Sequence, residues 1–217
     1  MMFAADVRPL WREAARRVLV AAGQPALAKL LDGATLEILP DHESWEMGDR
    51  RVAGVRLALV LEAPEFVALR ERAGGLDAMR DAVAAAVRSP ETELAELLAL
   101  VALPPSVERG SAYRSAPRWD PPPPDPNAVL AAAVALARAY ADERGARLLA
   151  GAQLERASVG ELGEGLVRWL VRVSPESFVE LDGDAGLCER VQRMVRVAAQ
   201  SPRERVADVE LGLLLGP

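Results

Sequence analysis

The stretch PDHESWEMGD, Pro40 to Asp49, places Asp41, His42, Glu43, Glu46 and Asp49 close together and is the chemically densest part of the chain. Carboxylates beside an imidazole can hold a divalent cation, and paired carboxylates can work as general acid and base. The spacing matches no recognised ligand or catalytic pattern, and Gly48-Asp49 is turn chemistry. The plain reading is therefore a solvated hairpin loop. A third reading makes Asp41, His42, Glu43, Trp45 and Glu46 a partner-binding loop, because Trp is over-represented among the residues that dominate interface energies.

Other routes to chemistry are narrow. His42 is the only histidine and Cys188 the only cysteine, so a Ser-His or Cys-His dyad would have to use His42 as its base, and no Cys/His zinc cluster can form within the chain. Cys188 reads as a small core hydrophobe. No GxxxxGK[ST] loop is present, and neither Gly74-Gly75 nor GELGEG, residues 160–165, sits between a strand and a helix as a phosphate cradle requires. Arg56 and Arg168 occupy matching positions in two similar segments. They read as residues of the polar face of a strand, with a pseudo-symmetric anion clamp as the sharper alternative. No catalytic residue, metal site or cofactor is assigned, and the residues match no family motif.

The elements that must carry these residues are written twice. LLDGATLE, Leu30 to Glu37, returns as LLAGAQLE, Leu148 to Glu155, at an offset of 118 residues. Further on, 55–105 aligns with 167–217 without a gap at an offset of 112, with 14 of 51 positions identical, among them Arg56/Arg168, Phe66/Phe178, Gly74/Gly186 and Ser89-Pro90/Ser201-Pro202. The change of offset means that the first copy holds six extra residues, and DHESWE lies in that stretch. Two copies of a period this long suggest a tandem pair of domains and not a solenoid. The expected boundaries are 1–105 and 126–217, joined by a Pro-rich linker over 106–125.

Periodicity predicts the elements of each copy. A helix runs from about Pro9 to Leu31 with a break at Gly23-Gln24-Pro25; in the second copy Asp125 can cap the helix and Pro126 can open it. Short strands follow at 35–39 and 153–157. Val55, Leu57, Leu59 and Leu61 alternate, as do Val167, Trp169, Val171 and Val173, which predicts half-buried strands with Arg56 and Arg168 on the opposite face. A helix follows each shared glycine. The last element is ambiguous: ELAELLALVAL has helical spacing, whereas ADVELGLLL alternates and contains Gly212, so agreement between the copies favours a strand. Each half is expected to be an α-β-β-α-β unit, an α+β fold with helices on one face of a small, mostly antiparallel sheet.

The balance of charges narrows the partners. The formal net charge is −6 and the pI near 5.1, and residues 1–105 hold 12 Lys and Arg against 16 Asp and Glu. Such a chain offers little to a phosphate backbone, so nucleic acid is not expected as a partner. The N-terminal segment lacks an uninterrupted apolar core, and no apolar run reaches the length of a membrane span. A cytoplasmic protein is expected, with no membrane partner. The abundance of Arg, Ala, Gly and Pro with a single lysine, Lys29, reads as the coding bias of a GC-rich bacterium. By subtraction, the expected function is a non-enzymatic protein-binding module, such as an adaptor, chaperone, immunity or regulatory protein. The alternative is an enzyme that uses the loop from Asp41 to Asp49, with a metal as an option.

Overall fold

The computed structural model describes residues 6–39, 43–47, 50–89, 91–104, 123–158, 166–201 and 205–214. The chain divides into two compact units, Met1–Leu100 and Val101–Pro217. The fold is α+β, with 8 helices and two small mixed sheets among the described residues.

In the first unit the expected break in the opening helix separates α1 (Arg8–Ala21) from α2 (Pro25–Gly33). Pro25 lacks the N–H that continuation of α1 would require and instead sits in the first turn of α2, where that donor is not needed. Then come β1 (Thr35–Ile38), β2 (Glu43–Met47), β3 (Arg50–Leu61), α3 (Ala63–Glu71), α4 (Gly75–Val87) and β4 (Thr92–Val101). Gly74 caps α4 in the left-handed conformation at φ 66°, a geometry that costs any residue with a Cβ. α3 was not foreseen as a helix. Its Ala63, Phe66, Val67 and Leu69 are all buried, so its apolar residues do not form the single stripe that a helical pattern search detects.

The alternation expected of β3 is present. Val55, Leu57, Leu59 and Leu61 are all buried, and they share this core with Leu19, Leu27, Leu31, Met79 and Val83 of the helices. β3 is the centre of the sheet. β1 and β2 both pair with it antiparallel, β1 over Leu57–Val60 and β2 over Arg50–Gly54. Arg56 O accepts from Leu39 N at 2.9 Å, whereas Ala53 N donates to Glu91 O at 2.9 Å. Successive residues of a strand address opposite neighbours, so even-numbered residues of β3 face β1 and β2, and odd-numbered ones face β4. β1 and β2 therefore lie end to end along one edge of β3, with β4 along the other. The contacts Ala53 to Glu91, Arg56 to Glu96 and Ala58 to Leu100 advance together along both strands, so β4 runs parallel to β3.

Among the described residues, the second unit runs through the same order without a counterpart of β2: α5 (Pro126–Ala139), α6 (Glu143–Ala150), β5 (Gln153–Ser158), β6 (Leu166–Val173), α7 (Pro175–Asp182), α8 (Ala185–Ala198) and β7 (Arg205–Leu213). α1 and α5 begin 118 residues apart, and β3 and β6 end 112 apart, the two offsets seen in the sequence. Asp125 and Asp142 cap α5 and α6 by accepting from the N–H groups of Asn127 and Gly145. β6 lies between β5, antiparallel, and β7, parallel. Every second residue of β6, namely Val167, Trp169, Val171 and Val173, is buried.

Two sequence expectations change. Both sheets are mixed, because the last strand of each unit returns parallel to the central one; antiparallel pairs are in the majority in the first sheet, and the second has one pair of each kind. The crossover comes through a helical pair, and parallel pairing needs that length of connection. Each unit also has four helices: the opening helix is split, as expected in the first unit, and the segments after the central strands are helical, which was not expected. The last elements, β4 and β7, are strands as the repeat argued. Of the expected linker, residues 106–122 lie outside the described residues.

Candidate functional site

Three of the five residues expected to meet a partner lie on β2. Glu43 is in register with Gly54, Trp45 with Val52 and Glu46 with Arg51; Asp41 and His42 lie outside the described residues. The expectation of a loop is thus revised over 43–47. ESWEM is a strand, and Met47 in register with Arg50 closes a hairpin whose connecting residues, Gly48 and Asp49, are outside the described residues. The signal was present as a Gly-Asp pair between two short runs, the sequence form of a two-residue hairpin turn.

Register decides which residues share a face. Residues opposite one another on antiparallel strands occupy the same face of the sheet, and positions two apart on one strand do so as well. Gly54, Arg56, Ala58 and Val60 therefore share one face of β3. Further along the Arg56 face, Leu39, Ala58 and Leu100 are buried together, with Val60 and Leu98 packed against them.

Arg56 ends this apolar cluster. Its Nη2 lies 2.6 Å from Glu96 Oε2, and its Nε donates to the same oxygen at 2.8 Å. The guanidinium is thus already held by a carboxylate on the neighbouring strand. An anion could enter only in exchange for Glu96. Arg168, its counterpart on β6, is held less completely: Nη1 lies 3.3 Å from Glu210 Oε1, and Nε is buried without an acceptor. That Nε is closed off from solvent, so an incoming ligand has no direct path to it. Four residues along on the same face, Arg172 donates to Glu155 at 2.7 Å and to the Leu213 carbonyl at 3.3 Å.

A charged cluster that sequence reasoning missed joins α6 to α7 and α8. Arg144 reaches Glu180 and Asp184, Arg147 reaches Glu180 at 3.1 Å, and Arg190 reaches Asp142 at 2.9 Å. The Arg144 guanidinium holds the Glu180 carboxyl below its usual range. Asp184 is lowered first by the Leu187 N–H that it caps and then by Arg144. Burial pushes Asp142 up, but the Gly145 N–H and the Arg190 guanidinium outweigh burial and leave it lowered. These carboxylates are already committed to guanidinium groups and helix N-termini, which makes the cluster a clasp between helices. Its partners lie 33 to 48 residues apart in the chain, so no local pattern announced it.

Two of the surface clefts among the described residues are lined by charged side chains. One, of about 280 Å³, is lined by Asp81, Ala84, Ala85, Arg88, Glu93 and Leu94 of α4 and β4. The other, of about 160 Å³, lies at the start of α1, where Asp6 accepts from the Arg8 backbone and side chain and Arg12 donates to Ala34 O at 2.8 Å. The Arg8 hydrogen bond lowers the Asp6 carboxyl, and this carboxylate itself fills the anion position at the helix N-terminus. Among the described residues no group of three or more His, Cys, Asp or Glu side chains is arranged to hold a metal, and no helix is long and apolar enough to cross a membrane. Cys188 is a free thiol, partly buried on α8.

Compared with protein-family models, curated proteins and solved structures, the chain matches none.

Proposed function

We propose that this chain is a non-enzymatic protein-binding module of a bacterial cytoplasm, an adaptor, chaperone, immunity or regulatory protein, built from a duplicated α+β unit. The equal spacing of corresponding elements at 118 and 112 residues supports the duplication. The partner is a protein, and the first unit engages it through Asp41, His42, Glu43, Trp45 and Glu46. One observation carries the reading. β2 and the start of β3 form a hairpin arm in the first unit, whereas among the described residues of the second unit β5 is the strand on that edge of β6. The described sheet of the second unit has no such arm, and additions to a shared scaffold are where binding groups concentrate. In this reading Arg56 and Arg168 serve the outer faces of their sheets, and an anion would exchange with Glu96 or Glu210.

Deletion of residues 41–46 tests it. The variant is expected to keep its melting temperature within a few degrees and to lose capture of its partner from extracts of the native host. A buried Trp45 that completes the core would instead cost about 3 kcal/mol or more, and a strongly destabilised variant would overturn the assignment. Retained capture would overturn it equally.

A further inference from the structure

Resting on the protein-binding reading, we infer that the cleft between α4 and β4 receives an arginine side chain of the protein partner. Asp81, Ala84, Ala85 and Arg88 line it from one face of α4 and the residue that caps it, and Glu93 and Leu94 line it from the start of β4. Its volume of about 280 Å³ falls just short of the roughly 300–1,000 Å³ of pockets that bury a small-molecule ligand, which suits one side chain of a larger molecule. Ala84, Ala85 and Leu94 offer apolar surface to an aliphatic stem. The side chains of Asp81, Arg88 and Glu93 form no ion pair or hydrogen bond with another described residue. Two carboxylates against one guanidinium leave the lining net negative, and the carbonyl end of α4 adds to that sign.

The second unit shows which group this position accommodates. At the ungapped offset of 112, Ala84 corresponds to Arg196, and Asp81 and Glu93 correspond to Arg193 and Arg205. Arg196 spans from α8 to β7, where its Nη2 lies 3.8 Å from Asp208 Oδ1. The second unit thus places a guanidinium of its own between its last helix and its last strand. In the first unit alanine replaces the bridging arginine and carboxylates replace the flanking cations. One change opens the position and the other reverses its charge, so a guanidinium supplied from outside is the complementary occupant. The cleft also lies at the arm's end of the sheet. Ala53 of β3 is in register with Ser44 on one side and donates to Glu91 O on the other, so β2 and the start of β4 flank the same end of β3, within reach of one partner.

The test titrates the full chain with the blocked tripeptide acetyl-Ala-Arg-Ala-amide and, as control, the same peptide with citrulline, which keeps the shape of arginine without its charge. The amide signals of Ala84, Ala85 and Leu94 are expected to shift saturably with the arginine peptide and to stay in place with the citrulline peptide. Asp81→Asn combined with Glu93→Gln is expected to weaken binding about fivefold or more. Ala84→Arg fills the cleft from within, with the residue type that α8 carries at the corresponding position. It is expected to keep the melting temperature within a few degrees, abolish the shifts and lose capture of the native partner. Absent shifts, equal shifts with the two peptides, or the same shifts on raising protein concentration without peptide, as docking of a second copy would produce, overturn the assignment. The titration of the unaltered protein decides this even if a variant folds poorly. If deletion of residues 41–46 abolishes partner capture but Ala84→Arg does not, the binding role of the arm survives and the arginine site falls. If Ala84→Arg abolishes capture but the deletion does not, the arginine site stands and the role of the arm falls. If neither change affects capture, both fall.

Discussion

Leu170 of β6 lies across Gly212 of β7: a Cβ built on Gly212 would sit 3.1 Å from Leu170 Cδ1. The two strands run parallel with Leu170 opposite Glu210 and Arg172 opposite Gly212, so the leucine leans along the strand over the position that has no side chain. Gly212→Ala is expected to change stability by no more than about 1 kcal/mol, since the obstacle is the end of a flexible side chain. Gly212→Ile is expected to cost about 1–3 kcal/mol by overpacking. Adding Leu170→Ala to Gly212→Ile should recover part of that loss in urea unfolding, and a cost unaffected by Leu170 would place its origin elsewhere.

Aligned glycines are expected to respond in opposite directions. Gly74 has φ 66° with nothing within 4 Å of an added Cβ, so Gly74→Ala should cost about 1 kcal/mol through backbone strain alone. Gly186 lies within α8 and is not among the positive-φ glycines, and an added Cβ there would meet only ordinary contacts at 3.5 and 3.6 Å. Gly186→Ala should stabilise by about 0.5 kcal/mol. Denaturant midpoints of the two variants check both signs.

Trp169 is fully buried, and its indole Nε1 has no acceptor. An unsatisfied buried donor carries a penalty of about 1–3 kcal/mol. Trp169→Phe removes that donor and is expected to destabilise by about 1 kcal/mol or less despite the lost volume. Trp169→Ala is expected to cost about 3–5 kcal/mol through the cavity. Equal losses in the two variants would show that the indole N–H finds a partner in solution.

Acid should loosen the clasp between α6 and α8. The folded pKa of Asp142 is depressed, so its contribution is complete above the unfolded value near 3.9 and is lost as pH falls through the lower folded value. Asp142→Asn keeps an oxygen for the Gly145 N–H but loses the charge facing Arg190. It is expected to be less stable than the parent at neutral pH, and the two stability curves should converge as pH falls through the lowered folded value of Asp142. A gap that persists in acid would assign the loss to packing.

The fold was legible wherever a pattern is local. Alternation in β3 and β6 located both central strands and the face that carries Arg56 and Arg168. Pro25 and Asp125 marked helix starts, and the two offsets located the repeated elements. α3 and α7 were missed because α3 is buried on more than one side and α7 spans only Pro175–Asp182, so neither shows a clear amphipathic stripe. The strand nature of ESWEM depends on pairing with Arg50–Gly54, and five residues hold too little alternation to separate a strand from a loop.

Local matters are written in the chain: which residues alternate, where prolines and capping aspartates begin helices, the order of elements in the two units, and the acidic balance of charge. These follow from backbone sterics, the side-chain period and counted charge, all of which act over a few residues or none. Tertiary structure decided which partner each charge meets. Arg56 could have faced solvent or an anion, and it meets Glu96, 40 residues away, only because β4 returns parallel beside β3. Arg190 meets Asp142 across 48 residues by the packing of α8 against α6. Strand direction, edge position and ion pairing are long-range outcomes, set when separate elements bury their apolar faces together, and no local pattern along the chain encodes them.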